Sequence, residues 1–359
     1  MKFLIKFLKF RKLYNYFIIL ALLNVFFSTA KANTKIFYVD DIEISTPFEI
    51  NFDKNEIIEE GFIKAFNQLI LTIIKSKDHL KLENISVKQI KGTVETFSIK
   101  EEKFVDEIYY IKIKVSFNKK SIFDLLENQN IFPSLPIKKN IVFIPIKIDD
   151  DKNEIQIFSE NVLYKNWNNN KKKYHLLNYI LPTVDLEDYN LIIKNIKNIE
   201  NFDFSKIAKK YNLQDYIISI IFKKNKNLKL LNIININNKE DLKQIKFKNI
   251  NFKKQEQINK FIEDLKIIFE DHWKYENEIN TSLKLLLTIS IENSNNLRVK
   301  DFEQKLNDID LINNFYIYKF DNKNNFYKII FNGSRNKFLQ TMKILNYKFE
   351  TNKKIWVTK

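Results

Sequence analysis

From residue 283 to its C-terminus the chain changes its hydrophobic period in a fixed order, and that order restricts its fold more than any other feature. Strand-like spacing over 283–291 is followed by helical spacing from Val299 to Leu306. A strand over 312–320, a polar turn over 321–325 and a strand over 326–331 come next. Asn332-Gly333-Ser334 then leads into Phe338, Leu339, Met342 and Leu345 at helical spacing, and 354–357 supplies a last strand. Period two puts alternate side chains on one face of a strand, whereas period 3.6 puts them on one stripe of a helix. The sequence therefore predicts βαββαβ, the ferredoxin-like order. That fold hosts many unrelated activities, so it sets none here.

The preceding sequence is also mixed. Residues 36–44 are strand-like, Asp53-x-x-Glu56 resembles a helix-capping pair, and Ile58, Phe62, Ala65, Phe66, Leu69 and Ile73 mark one apolar helix face. After Gly92 a strand over 93–99 precedes a clearer one in which Tyr109, Ile111, Ile113, Val115 and Phe117 alternate with polar residues. A helix with Ile122, Leu125 and Leu126 closes this unit, and Pro133 with Pro136 marks a boundary. The middle segment opens with the buried-strand run 141–148. It continues through helical 204–211, strands over 216–222, 228–236 and 244–250, and an amphipathic helix carrying Ile258, Phe261, Ile262, Leu265, Ile268 and Phe269. A length of 359 residues suits two or three domains. The expected fold class is thus α+β or α/β: three small mixed units over 33–135, 140–278 and 282–359, the last ferredoxin-like.

Residues 1–32 read as an export signal. Lysines and Arg11 precede an almost wholly apolar stretch over 17–30, and Ala30-Lys31-Ala32 offers a small-x-small peptidase pattern with the cut between Ala32 and Asn33. The stretch is shorter than the roughly 20 residues that span a bilayer, which favours a cleaved signal over a permanent anchor. Either outcome sends the remainder across the membrane. The expected location is the periplasm, or the inner membrane facing it if the segment stays attached.

Composition removes several function classes. The formal charge of +16 falls to +10 without the leader, and arginine occurs only at Arg11, Arg298 and Arg335. Readers of nucleic acid favour the bidentate arginine fork, so no nucleic-acid partner is expected. No cysteine is present, excluding disulfides, thiolate catalysis and a lipidated N-terminus. With glycines only at 61, 92 and 333, neither a dinucleotide fingerprint, a P-loop nor a nucleophile elbow can be written.

The remaining candidates are individually weak. His79, His175 and His272 lie far apart, and a zinc site would need all three to converge. Asp149, Asp151, Asn153 and Glu160 match oxygens of a calcium loop, but Glu154 stands where the turn requires glycine, so a solvated acidic turn is expected. Lys165 to Trp167 and Lys171 to Tyr174 interleave cations with aromatics, as an anionic lipid surface would require; the alternative is an exposed loop with Trp167 in the core. No catalytic, cofactor or metal residue is nominated.

With these features placed, the chain resembles a family of exported proteobacterial proteins known as a domain of unknown function, in particular its alphaproteobacterial members. The resemblance rests on Phe117-Asn118 with Ile122, Leu125 and Leu126; Ile144-Pro145; Asn161 and Trp167; Leu181-Pro182 with Asp185 and Asp188; and Gly333 through Leu339 to Trp356. The middle segment also looks like the amino-terminal domain of periplasmic TolB in its element order and in residues 211–221. The family has no established activity, so the resemblance implies no catalytic residues. The expected function is a non-enzymatic cell-envelope interaction module with a protein partner. The alternatives are a hydrolase whose site lies between the second and third units, lined by His175 or His272 and acids, and a peripheral binder of anionic membrane.

Overall fold

The computed structural model describes residues 37–358 except Asn51, Asn170, Asn225, Lys226 and Asn249. The expected leader and its Ala32–Asn33 cut lie outside the described residues. The mixed α+β character is present throughout, as three sheets with helices packed on each.

The first sheet has the order β1-β3-β2, all antiparallel, with β1 at Tyr38–Pro47, β2 at Val94–Val105 and β3 at Ile108–Phe117. The alternation read in β3 holds: Tyr109, Ile111, Ile113, Val115 and Phe117 are buried. They share a core with Ala65, Phe66, Leu69 and Ile73 of helix α1, Lys54–Ile73. Asp53 caps α1 by accepting from Asn55 N at 2.8 Å. Helices α2 (Val87–Thr93) and α3 (Lys119–Asn128) complete the unit.

Gly61 lets α1 approach this sheet. A Cβ there would sit 2.4 Å from Ile113 Cδ1 and 2.8 Å from Ile44 Cδ1. Gly61→Ala is expected to destabilise by about 2 kcal/mol through overpacking, although alanine is the better helix former. Urea unfolding measures this; a variant at least as stable as the parent would refute the close approach.

In the middle unit, β4 (Lys139–Asp149) is central. It pairs in parallel with β6 (Leu177–Ile180) at its start and with β7 (Tyr216–Lys224) along its other edge, and antiparallel with β5 (Glu154–Ile157) at its end. Strands β8 (Asn227–Ile236) and β9 (Lys239–Lys248) extend the sheet as an antiparallel hairpin. Ile141 and Phe143 enter one core, while Val142, Ile144 and Ile146 enter another on the opposite face. Burial on both faces explains why β4 reads as a continuous apolar run. The short helices α4 (Val162–Asn166), α5 (Leu186–Lys194) and α6 (Ser205–Lys209) serve the connections, and the long helix α7, Gln255–Glu276, covers the Phe143 face.

The last unit contains β10 (Lys284–Glu292), α8 (Asn296–Asp308), β11 (Ile312–Phe320), β12 (Asn324–Asn332) and α9 (Arg335–Ile344), then β13 (Phe349–Glu350) and β14 (Trp356–Thr358). Its sheet order is β11-β12-β10-β14-β13. The first four positions give the ferredoxin-like spatial order. The final strand, however, arrives as a hairpin: β13 takes the outer edge, and β14 turns back between it and β10, pairing parallel to β10.

The Pro133–Pro136 segment is stitched into its surroundings. Ile279 N donates to Pro133 O at 2.8 Å, and Ser134 Oγ donates to Ile73 O at 3.0 Å. Lys119 of α3 reaches Asp310 beyond α8, at 2.8 Å from its carboxylate.

Candidate functional site

Helix α7 carries an unexpected stripe: Lys266, Glu270 and Lys274, spaced by four, are all buried. Buried charge is expensive unless it is bonded, and each of these bonds backbone. Lys266 Nζ donates to Trp167 O at 2.6 Å. Glu270 accepts from Leu176 N at 2.9 Å and Leu177 N at 3.0 Å. Lys274 Nζ donates to Leu71 O at 2.6 Å and Ile74 O at 2.9 Å, carbonyls at the end of α1 that no further helical turn can satisfy.

The stripe therefore fixes the 167–177 loop and the end of α1 to one helix. Burial raises the Glu270 carboxyl to about 6, against the pull of its two N–H donors. It lowers Lys266 to about 8 and Lys274 in the same direction. His175, within this loop, is lowered to about 4 by burial and by Lys266 and Lys274. Perturbed groups often mark active sites, but here each is consumed by a structural bond. Sequence reading missed the stripe because Lys and Glu at this spacing ordinarily face water. The available signal was its lying next to Phe269 and Trp273.

The three histidines occupy separate places: His79 in a 3-10 helix over Ser76–Leu82, His175 ahead of β6, and His272 on α7. Among the described residues no group of three or more His, Cys, Asp or Glu could hold a metal ion. His272 does line a cleft of about 560 Å³ with Lys75, Lys239, Asp241, Asp271 and Glu276. That cleft joins α7 and β9 to the loop after α1, so it abuts the first unit rather than the third. His175 does not line it. His272 Nδ1 stands 3.5 Å from Asp241, which Lys243 also approaches at 3.8 Å. Burial, assisted by Lys243, lowers its pKa.

The acidic turn after β4 is less solvated than its sequence suggests. Asp149 is buried, and its carboxylate accepts from Lys223 at 3.0 and 3.1 Å, with Lys147 at 3.6 Å. Burial raises its pKa while the two lysines lower it, and the lysines prevail. Those ammonium groups occupy the oxygens that a calcium ion would need. In the 165–174 segment Trp167 is fully buried and stacks on Phe143, with centroids 3.7 Å apart. Lys171, Lys172 and Lys173 remain exposed, with Lys173 donating to Asp41 O at 3.0 Å.

The remaining feature is the outer face of the last sheet. On β10, β12 and β11 one face packs Leu287, Ile289, Ile291, Tyr327, Ile329 and Phe331 against α8 and α9. The opposite face, set by register, carries Leu286 beside Ile330 and Thr288 beside Lys328, with Tyr316 across from Lys328. Leu286 is 75% exposed, and Tyr316, Tyr318 and Val357 are exposed as well. Lys328 lies 5.3 Å over the Tyr318 ring and Lys319 lies 5.5 Å over Phe326, so lysine stems roof part of this apolar strip. Residues 282–359 hold fourteen Lys and Arg against seven Asp and Glu.

No family model matches the chain, and no curated protein is significantly similar to it. No helix among the described residues is long and apolar enough to cross a membrane.

Proposed function

We propose that this protein is a non-enzymatic interaction module of the cell envelope, and that the outer face of the last sheet receives an acidic protein partner. The open strip of Leu286, Ile330, Tyr316 and Tyr318 carries this reading. It pairs apolar area with Lys319 and Lys328 on a sheet whose other face packs against α8 and α9. Apolar anchors ringed by charge of one sign favour a partner with apolar residues inside a carboxylate rim. Residues 1–32, read as an export signal, and the resemblance to exported proteins of unknown function both support a partner in the periplasm or on the inner membrane.

The reading is tested by placing a photoreactive phenylalanine analogue at position 316 in the full chain and irradiating intact envelope. A discrete cross-linked protein is expected, with none from the same analogue at Leu242, an exposed position on β9. Leu286→Glu should reduce that product about 30-fold, the equivalent of some 2 kcal/mol of lost apolar contact. Equal yields from positions 316 and 242, or a product insensitive to Leu286→Glu, would refute the proposal.

A further inference from the structure

At one end of its sheet the first unit carries a surface complementary to the strip of the last unit. Pro47 of β1 and Val105 of β2 both pair with Ile108 of β3, so the end of β1 and the β2–β3 turn emerge together. Phe48 N donates to Glu107 O at 2.8 Å and ties the two segments. Four rings form a continuous series. Between centroids, Tyr109 lies 4.9 Å from Phe52, Phe52 lies 4.7 Å from Phe48, and Phe48 lies 4.8 Å from Phe104. Tyr109 is buried in the core, whereas Phe48 and Phe104 are 50% and 54% exposed, and Ile50 and Val105, close to them in sequence, are exposed as well. The cluster is thus one knob anchored from below rather than a set of separate side chains, and contiguous exposed apolar surface marks a contact site.

The knob is acidic, although the chain as a whole is basic. Residues 48–56 and 102–108 hold six Asp and Glu against two Lys. Both lysines are engaged, Lys54 by Glu102 at 2.7 Å and Lys103 by Glu101 at 2.9 Å. Glu49, Asp106 and Glu107 are exposed, and among the described residues none of the three has an ion-pair partner. Carboxylates left free beside exposed rings set a negative local field that selects a basic surface.

We infer that this knob docks, head to tail, on the outer strip of the last sheet of a second copy of the chain, an assignment that rests on the strip's proposed role and names its partner. The strip offers Leu286, Ile330, Tyr316 and Tyr318, and the charged side chains set among them are Lys319 and Lys328. Such a surface takes apolar residues accompanied by carboxylates, and the knob presents Phe48 and Phe104 beside Glu49, Asp106 and Glu107. A chain does not serve itself. From the knob β3 runs ten residues, about 30 Å, to Phe117, and just beyond it Lys119 holds Asp310 of the last unit. The knob therefore stands at the end of its sheet remote from the last unit. Because the two surfaces differ, the contact is heterologous and adds copies in series, as an open row or a ring.

Sedimentation velocity of the full chain tests this, from about 1 to about 100 μM in about 0.05 M salt, where surface charges are weakly screened. The parent should form species of two and more copies as its concentration rises, and about 0.5 M salt should weaken that association several-fold. Phe48→Lys combined with Asp106→Asn and Glu107→Gly spoils the knob. Positions 106 and 107 both take positive φ, which an Asn-Gly pair favours, so the hairpin is kept. Leu286→Glu combined with Lys328→Glu spoils the strip. Each variant alone should stay monomeric throughout, a loss of at least tenfold in affinity. An equimolar mixture should give one-to-one dimers and nothing larger, since one variant brings an intact strip and the other an intact knob, and that recovery shows both to be folded. A monomeric parent would overturn the inference, as would a mixture that stays monomeric. Association that persists in either variant, through the N-terminal apolar stretch or any other surface, would overturn it too. Cross-linking at position 316 separates the occupant from the strip. A product of twice the chain mass agrees with a second copy, and a product with a different protein keeps the strip and overturns only this occupant. Equal yields from positions 316 and 242 remove the strip and the occupant together.

Discussion

Glu270→Ala is expected to lower the unfolding free energy by about 3 kcal/mol, because it strands two buried N–H groups at once, Leu176 N and Leu177 N, each costing roughly 1–3 kcal/mol without an acceptor. Two positive charges, Lys266 and Lys274, also lose the carboxylate one turn away on the same stripe. Trp273, buried in the adjoining core, reports the transition by fluorescence in urea. Glu270→Gln keeps one acceptor oxygen and should lose less. An alanine variant within 0.5 kcal/mol of the parent would show that the loop satisfies those N–H groups otherwise.

The pH dependence of that deficit has a definite sign. A carboxyl raised in the folded state from its ordinary value near 4.5 to about 6 binds more protons folded than unfolded, so its contribution to stability falls as pH rises between those values. His175, lowered from about 6.5 to about 4, binds fewer protons when folded, and its contribution rises over an overlapping window. The two oppose each other in the parent. Removing Glu270 leaves the histidine unopposed, so stability of the alanine variant should climb more steeply from pH 4.5 to 6 than that of the parent.

Trp167→Ala is expected to cost about 4 kcal/mol, near the centre of the range for a fully buried large aromatic. The indole fills the space between Phe143 and Tyr179, with the Tyr179 ring edge-on at 5.3 Å, and Phe269 lies 6.1 Å away. Trp167→Phe is the discriminating control. It keeps the stack and removes a buried indole N–H that has no hydrogen-bond partner among the described residues, so its loss should be less than half as large. Similar losses in both variants would place the energy in indole shape rather than in stacking.

The elements themselves were legible wherever one face was buried and the other wet. The alternation of Tyr109 to Phe117 and the helical spacing of Ile258 to Phe269 carried over because core and solvent impose opposite residue types at fixed period. Strand β2 was read only to residue 99, since its continuation, Lys100-Glu101-Glu102-Lys103, is charged; it is an exposed edge strand, where charge discourages pairing with other chains. Hairpins were obscured by the scarcity of glycine. Asn237 and Asn238 both take positive φ between β8 and β9, and Asp106 and Glu107 do so between β2 and β3, so the turns lack their usual marker. The hairpin that inserts β14 was invisible because two- and three-residue strands have no period. The buried ladder of α7 was hidden for a chemical reason: charge at i, i+4 and i+8 announces water unless the partners, which lie far away in sequence, are known.

Lys274 has one more consequence, for the order of assembly. The carbonyls it satisfies, Leu71 O and Ile74 O, precede it by 203 and 200 residues. A chain made from its N-terminus at some 5–20 residues per second presents α1 at least ten seconds before its closing donor exists. During that interval the first sheet and α1 can collapse on one another, yet the last turn of the helix must borrow water or frays. Newborn molecules should therefore remain clippable by protease near residues 71–76 until more than three quarters of the polypeptide has emerged.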